Sequence, residues 1–319
     1  MPPSYDLLVI GDANPDVIFG PLTGPLAFGQ REQLVDAGSL TLGGSAAIMA
    51  CGAARLGLRV AFAGRVGDDE AGRYMRDALT ARGVDTRALR TDATRPTPLT
   101  VVLTQGEDRA ILTSPGTLTT VSGDDVPEEL LADTRHVHAA SYFLQPRLAA
   151  DLPRLLRTAR WHGASTSLDT QDDPSGQWDR AALDAVLTET DILLPNAQEA
   201  LHLAGTPTGG SPERAAELLA ARVPLVVVKN GAAGALCHNG HTLLTAPGLP
   251  LTPVDTVGAG DSFDAGFIAA LLDGRPPHEA LRVAVACGSL STRAHGGTPA
   301  QPTRDEVLAH TTPSGAYAS

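Results

Sequence analysis

The chain has 319 residues, 43% of them apolar, with a formal net charge of −12. That acidic balance argues against a general nucleic-acid or anionic-membrane surface, either of which needs a basic face. Cys51, Cys237 and Cys287 lie far apart with no metal-ligand spacing, no apolar run is long enough for a membrane span, and the N-terminus lacks a basic leader region, so a soluble cytoplasmic protein is expected.

In chain order, Asp6–Ile10 (DLLVI) reads as a buried strand that stops at Gly11. The stretch that follows is rich in glycine and proline, with short β-like pieces such as Asp16–Phe19, and does not suit a crossover helix. An Ala-rich helix opens at Gly44 and stops near Gly57. Arg59–Gly67 is a strand, and Asp68–Arg82 is an amphipathic helix with an acidic start. Thr97–Leu112 reads as a β-hairpin with its turn near Gln105–Asp108.

From about Val121, strand and helix alternate. Strands are expected at His136–Ala140, Ser165–Asp169, Ile192–Leu194 and Leu225–Lys229. Helices are expected near Pro146–Trp161, Ala197–Ala204, Pro212–Arg222, Asp261–Leu272 and Pro277–Ser291. Alternation of this kind implies an α/β fold with a doubly wound, mostly parallel sheet flanked by helices. The β-like insertions at about 16–40 and 97–115 would pair into a small β-sheet lid on a single domain spanning 1–319. That lid is also the candidate surface for a homodimer. The tail after Thr298 reads as surface, with TTPSGAYAS loose.

The chemistry concentrates in DTVGAGDSFDAGF, residues 255–267. Gly258, Ala259 and Gly260 precede a helical apolar pattern, so they would sit at a helix N-terminus. Unpaired N–H groups and the positive end of the dipole favour an anion there. Asp261 would fall in the first turn, where an ionised carboxylate can take a proton from an attacking hydroxyl. A glycine turn with a helix-start carboxylate is the plainer alternative, and GxGD alone does not decide between them.

The longer string resembles the C-terminal signature of the PfkB (ribokinase-like) family of carbohydrate kinases, nearly residue for residue. The resemblance implies that Gly258, Ala259 and Gly260 form the anion hole and that Asp261 is the catalytic base. Other segments resemble the family in the same order. In LLVIGDANPD, Asn14 and Asp16 stand where the family holds sugar hydroxyls; in LTLGGSAAIMACGAARLG, Gly43 and Gly44 open the helix beneath the substrate. NAQE is similar to the family's NxxE motif, which implies that Asn196 and Glu199 organise Mg²⁺ through water. VVVKNGAAGAL is similar to the strand and loop over the nucleotide, carrying Lys229, Gly231 and Gly234; ALRVAVACGSLSTRAHGG places Ala284 and Gly288 near the base. Asp255 and the Val257 carbonyl are candidates for a monovalent cation such as K⁺.

Two departures are visible. Ile48 stands where ribokinases commonly carry a sugar-contacting Asn, and Ala284 where an Asn often meets the adenine. Arg109, in the lid hairpin, is a candidate for a substrate carboxylate or phosphate. Asp169 ends its strand at the edge where such sheets bind ligands, and is a candidate for substrate or for a magnesium-bound water. Lys229, the sole lysine, either approaches the phosphates or is solvated at the strand end. His136 and His138 read as packing residues.

The expected activity is transfer of the γ-phosphoryl group of ATP, with Mg²⁺, to a hydroxyl of a small sugar-like molecule. A nucleoside or sugar-phosphate kinase of the same fold is the nearest alternative. A non-catalytic sensor has no need for Asp261. A dinucleotide enzyme would need GxGxxG after the first strand, and GDANPD fails that pattern.

Overall fold

The computed structural model describes residues 2–106 and 108–311. Glu107, in the expected hairpin turn, and the tail from 312 onward lie outside the described residues. The chain runs through β1 (Tyr5–Ile10), β2 (Asn14–Gly20), β3 (Ala37–Gly43), α1 (Ser45–Arg55), β4 (Val60–Gly67), α2 (Glu70–Thr80) and β5 (Val84–Asp92). It continues with β6 (Leu99–Gln105), β7 (Asp108–Ser114), α3 (Glu128–Ala132), β8 (Thr134–Ala140), α4 (Pro146–Trp161) and β9 (Ser165–Asp169). Next come α5 (Arg180–Leu187), β10 (Ile192–Leu193), α6 (Ala197–Ala204), α7 (Pro212–Leu219), β11 (Leu225–Lys229), β12 (Ala235–His238) and β13 (Leu243–Ala246). The last elements are α8 (Ala259–Leu272), α9 (Pro277–Ser291) and α10 (Arg304–Thr311).

One sheet has the order β13-β12-β11-β10-β9-β8-β1-β4-β5. Its pairs are parallel except β11–β12 and β12–β13. Along β1, alternate side chains serve opposite faces. Leu7 and Val9 join the core under α1, α8 and α9, whereas Leu8 and Ile10 join the core under α4. A strand covered on both faces must be apolar throughout, which is why DLLVI shows no alternation.

The β-like insertions form a second sheet of four strands, ordered β3-β2-β6-β7. β2 and β6 pair in parallel although β3, α1, β4, α2 and β5 all lie between them in sequence. Register assigns its two faces. Asp16, Thr41, Thr100 and Thr113 stand in one row, and Val17, Leu40, Val101 and Leu112 in the adjacent row on the opposite face.

Several elements were not legible in the sequence. β5 carries four charged residues in VDTRALRTD, which hides a strand pattern; as an edge strand it pairs only with β4 and can leave those charges in water. β12 and β13 have four residues each, too few for a period to show. Among the described residues, no helix is long and apolar enough to cross a membrane.

Candidate active site

The parallel strands deliver their polar residues to one edge. Asp12 follows β1, Asp169 ends β9, Asn196 follows β10 and Lys229 ends β11. In open α/β sheets, the crevice outside the carboxyl ends of the strands is where ligands bind. Helix α8 begins there as well.

Gly258 caps α8 with φ 71°, a left-handed conformation that favours glycine, and a Cβ there would stand 2.6 Å from Gly297 Cα. The N–H groups of Gly260 and Asp261 have no partner among the described residues. With the dipole of a fourteen-residue helix behind them, they are suited to receive an anion.

Asp261 is buried in the first turn. Its Oδ1 accepts a 2.5 Å hydrogen bond from Ser45 Oγ and lies 3.3 Å from Gln171 Nε2. Its Oδ2 has no hydrogen-bond partner among the described residues. Burial pushes this carboxyl up to about 7; Asp169 adds to the rise, while Ser45 and Lys229 oppose it. A base poised near neutrality suits proton removal from a hydroxyl.

One turn later, Asp264 enters an ion cluster. Lys229 Nζ lies 2.7 Å from Asp169 Oδ2 and 3.1 Å from Asp264 Oδ2, and its side chain is only 10% exposed. The solvated alternative for Lys229 is thereby corrected: two carboxyls hold it inside. Burial disfavours its charge, but Asp169 and Asp264 outweigh that and raise its pKa. Burial would also raise Asp169, yet Lys229 holds it below the usual carboxylate range. Asp264 goes the other way, raised well above that range by burial. Lys229 and Asp169 thus favour their charged forms, while Asp264 favours its neutral one, and the three titrate as a unit. Lys229 Nζ is 3.5 Å from where a Cβ on Gly260 would stand, directly against the anion site.

The other half of the cleft is acidic. Asn14 Nδ2 donates to Asp16 Oδ1 at 2.9 Å and to Thr100 Oγ1 at 3.1 Å, and Thr100 meets Thr113 at 3.0 Å. Asp16 lies so close to Gly43 that a Cβ there would stand 2.1 Å from the carboxylate. Burial, and then the charge of Asp12, push Asp16 up to about 7. Asp12 is itself buried and accepts from the N–H groups of Ser45 and Ala46, 3.0 Å each. It caps α1 in place of Gly44, which has no side chain to do so.

Asn196 and Glu199 form a capping box at the start of α6. Glu199 Oε2 accepts from the Asn196 N–H at 2.8 Å and Oε1 from Asn196 Nδ2 at 2.5 Å. Burial raises the Glu199 carboxyl to about 8, with Asp169 adding to the rise. Both oxygens thus have one partner each, and a second lone pair on each is left for a further donor or a metal-bound water.

Beside the anion site lies a cleft of about 270 Å³, lined by Lys229, Gly231, Gly234, Leu249, Phe263 and Gly288 among others. Ala284 does not line it. It is fully buried, with its Cα against Gly266, whereas Val285 and Ser289 of the same helix do line the cleft. Asp255 accepts from the N–H groups of Val257 at 3.0 Å and Gly296 at 2.8 Å, bracing the loop before α8. Arg109 reaches from β7 to Thr256 Oγ1 at 3.3 Å, and Thr256 also lines the cleft. His136 and His138 are buried against Ser165 and Ser167 in the core.

Residues 5–304 match the family model described as pfkB family carbohydrate kinase. The chain belongs to the pfkB family of carbohydrate kinases. It is 32% identical to an ATP-dependent ribose-1-phosphate kinase of Halopiger xanaduensis, over 84% of this chain and 85% of that one. It is 31% identical to a fructokinase of Klebsiella pneumoniae, over 83% and 90%. The structure is similar to Arabidopsis thaliana ribokinase complexed with ribose and ATP, with a TM-score of 0.83 and 27% identity over 98% and 100% of the two chains. An E. coli protein assigned as a ribokinase II, in complex with ATP and Mg²⁺, gives a TM-score of 0.85 and 25% identity over 96% and 98%.

For this pfkB family kinase, four site residues escaped the sequence reading. Ser45 follows the GG pair and Asp12 lies within GDANPD, but their bonds cross between separate strands and helices. Asp264 had a usable signal, since it lies three residues after Asp261 and shares its helix face. Gln171 had none: it stands in a loop, two residues past Asp169.

Proposed function

We propose that this chain is an ATP-dependent kinase of an uncharged, sugar-like polyol. The observation that carries this reading is Asp261. It is a buried base with one free oxygen, in the same helical turn as free N–H groups, between an acidic half-cleft and an apolar one. Asp261 takes the proton from the acceptor hydroxyl, and the N–H groups of the Gly258–Asp261 turn receive the negative charge of the transferring group. Asn14, Asp16, Gly43 and Gly44 position the acceptor, with Asp169 holding the floor through Lys229. Gly231, Gly234 and Gly288 shape the nucleotide side. Mg²⁺ supplies charge neutralisation at the phosphates when bound, and Asn196 and Glu199 would hold its waters. Asp255 and the Val257 carbonyl are where K⁺ would be sought.

Charge supports the acceptor class. Asp16 and Asp261 face the acceptor, with the buried Asp12 near enough to raise both, while Lys229 is already neutralised by its carboxyls. A phosphorylated acceptor is the second reading, favoured by one cation, Arg109. Its contact with Thr256 instead suits it to the phosphoryl group in transit. The small sheet then acts as a lid that excludes water during transfer. Its outer face, with Leu40, Leu112 and Phe19 exposed, is the surface for pairing with a second copy.

The test is ADP release across neutral sugars, sugar acids, sugar phosphates and nucleosides, with Mg²⁺ or a chelator, and with K⁺ or Na⁺. Turnover with a neutral sugar is expected. Preference for a phosphorylated acceptor would overturn the acceptor class, and no stimulation by any acceptor would overturn the kinase.

A further inference from the structure

The loop after β9 carries a residue that the proposed roles leave unused. Gln171 has φ 56°, in the left-handed region that residues other than glycine seldom occupy. Its backbone N–H is tied to Asp169 Oδ1 at 3.2 Å. Its Nε2 stands 2.8 Å from Asp169 Oδ2, 2.8 Å from Ser45 Oγ and 3.3 Å from Asp261 Oδ1. Two of those acceptors are carboxylate oxygens, so the amide must turn its nitrogen toward them. An amide nitrogen has only two hydrogens for these three acceptors. The arrangement closes if one goes to Asp169 and one to Ser45, while the Ser45 hydroxyl donates its own hydrogen to Asp261 at 2.5 Å. Every donor is then used once.

We infer that Gln171 is a positioning residue for phosphoryl transfer: its carboxamide holds the Ser45 hydroxyl onto one oxygen of Asp261 and leaves the other oxygen open to the acceptor. The inference rests on the kinase reading of Asp261 and adds to it the element that orients the base. It also accounts for the left-handed backbone. In that conformation the side chain turns back over its own strand end to meet both Asp169 and Ser45. The loop is anchored at its far side by Trp178, also left-handed at φ 49° and stacked on His202 of α6 at 4.7 Å. Gln171 is thus held between two fixed points, as a positioning group requires.

The charged groups around Asp261 are Asp169 on β9, Lys229 on β11, Asp12 after β1 and Asp264 on its own helix. None of them supplies the hydrogen bond that Gln171 passes through Ser45.

The experiment compares Gln171→Met, which keeps length and loses the amide, with Gln171→Gly, which keeps the left-handed backbone. Both are expected to lose about 10- to 100-fold in kcat, with KM for ATP and acceptor within about threefold. Neither should lower the melting temperature, and Gln171→Gly is free of the backbone cost. A second readout does not depend on turnover. Carboxyl-labelled aspartate is titrated by NMR, with Asp261 assigned through Asp261→Asn. Its midpoint should rise by about half a pH unit or more in Gln171→Met, because the carboxylate loses an oriented donor. Turnover within twofold of wild type in both variants, or an unmoved midpoint, overturns the inference. If the wild-type chain phosphorylates no acceptor, the kinase reading falls, and the titration alone decides the role of Gln171.

Discussion

The half of the cleft proposed for the acceptor holds Asp16 and Asp261, with Asp12 buried nearby and no cation bonded to any of the three among the described residues, whereas the half proposed for the nucleotide presents Leu249, Phe263 and glycines around one ammonium, Lys229. Asp261 and Asp169 show what this difference does. Both are buried aspartates near the start of α8. Asp261 is hydrogen-bonded, among the described residues, only to a hydroxyl and an amide, and burial pushes it up to about 7. Asp169 has Lys229 at 2.7 Å and is held down. Burial raises both; the partner decides which one remains basic enough to accept a proton. The sole lysine, ending β11, thus sits with Asp169 of β9 and not with Asp261 of α8.

Breaking the reactive side gives the largest expected effect. Asp261→Asn should lower kcat by about 10²- to 10⁴-fold, with KM for ATP little changed. Steady-state kinetics check this, and near-normal turnover would end the role given to Asp261. Breaking the structural side acts on stability. Lys229→Met leaves Asp169 buried without its cation and should cost about 3–5 kcal/mol in urea unfolding. Adding Asp169→Asn to that variant should recover part of the loss, since no ionised carboxylate is then stranded. If the double variant is no better than the single one, the pairing is not what holds Lys229.

Asp16→Asn sharpens the charge side of the comparison. It should cost about 10- to 100-fold in kcat/KM for a neutral acceptor and leave the ATP parameters unchanged. An equal loss for ATP would place Asp16 outside the acceptor site. The smallest effect concerns pH. Asp16 and Asp261 titrate near 7 and Glu199 near 8 in the folded chain, all raised first by burial. Unfolded, such groups titrate near ~4, so the folded state holds extra protons in between. The stability they contribute at low pH is lost as pH rises through 7 to 8. His136 and His138 act oppositely: burial lowers them to about 3 and about 4, so their contribution is lost only as pH falls below ~6.5. Thermal unfolding should therefore show stability declining from about pH 6.5 to 8.5, with Asp16 and Asp261 together accounting for about 1–2 kcal/mol. Asp16→Asn should flatten that slope. On the activity side, kcat/KM should rise with pH to about 7 as Asp261 ionises.

The sequence by itself determined the segments whose physics is local. DTVGAGDSFDAGF had to begin a helix with bare N–H groups, because small residues leave the backbone open and the apolar positions that follow recur at helical spacing. DLLVI and LVVV had to be buried strands, because an unbroken apolar run of that length suits a sheet covered on both faces. The NAQE cap was equally local, since Asn and Glu three residues apart satisfy each other's backbone. What joined these pieces was decided by tertiary structure. Lys229 could be read as solvated or buried until Asp169 and Asp264, brought in from β9 and α8, surrounded it. Ala284 was kept out of the cleft because α9 packs that side of its turn onto Gly266 of α8. Ser45, Gln171 and Asp261 are 126 and 90 residues apart along the chain, and a hydrogen-bond chain at that separation has no sequence period to betray it. The charge on Asp261 follows the same rule. A carboxyl's pKa depends on what is excluded from around it and on which cation comes near, and both are fixed only when the strands and helices close on one another.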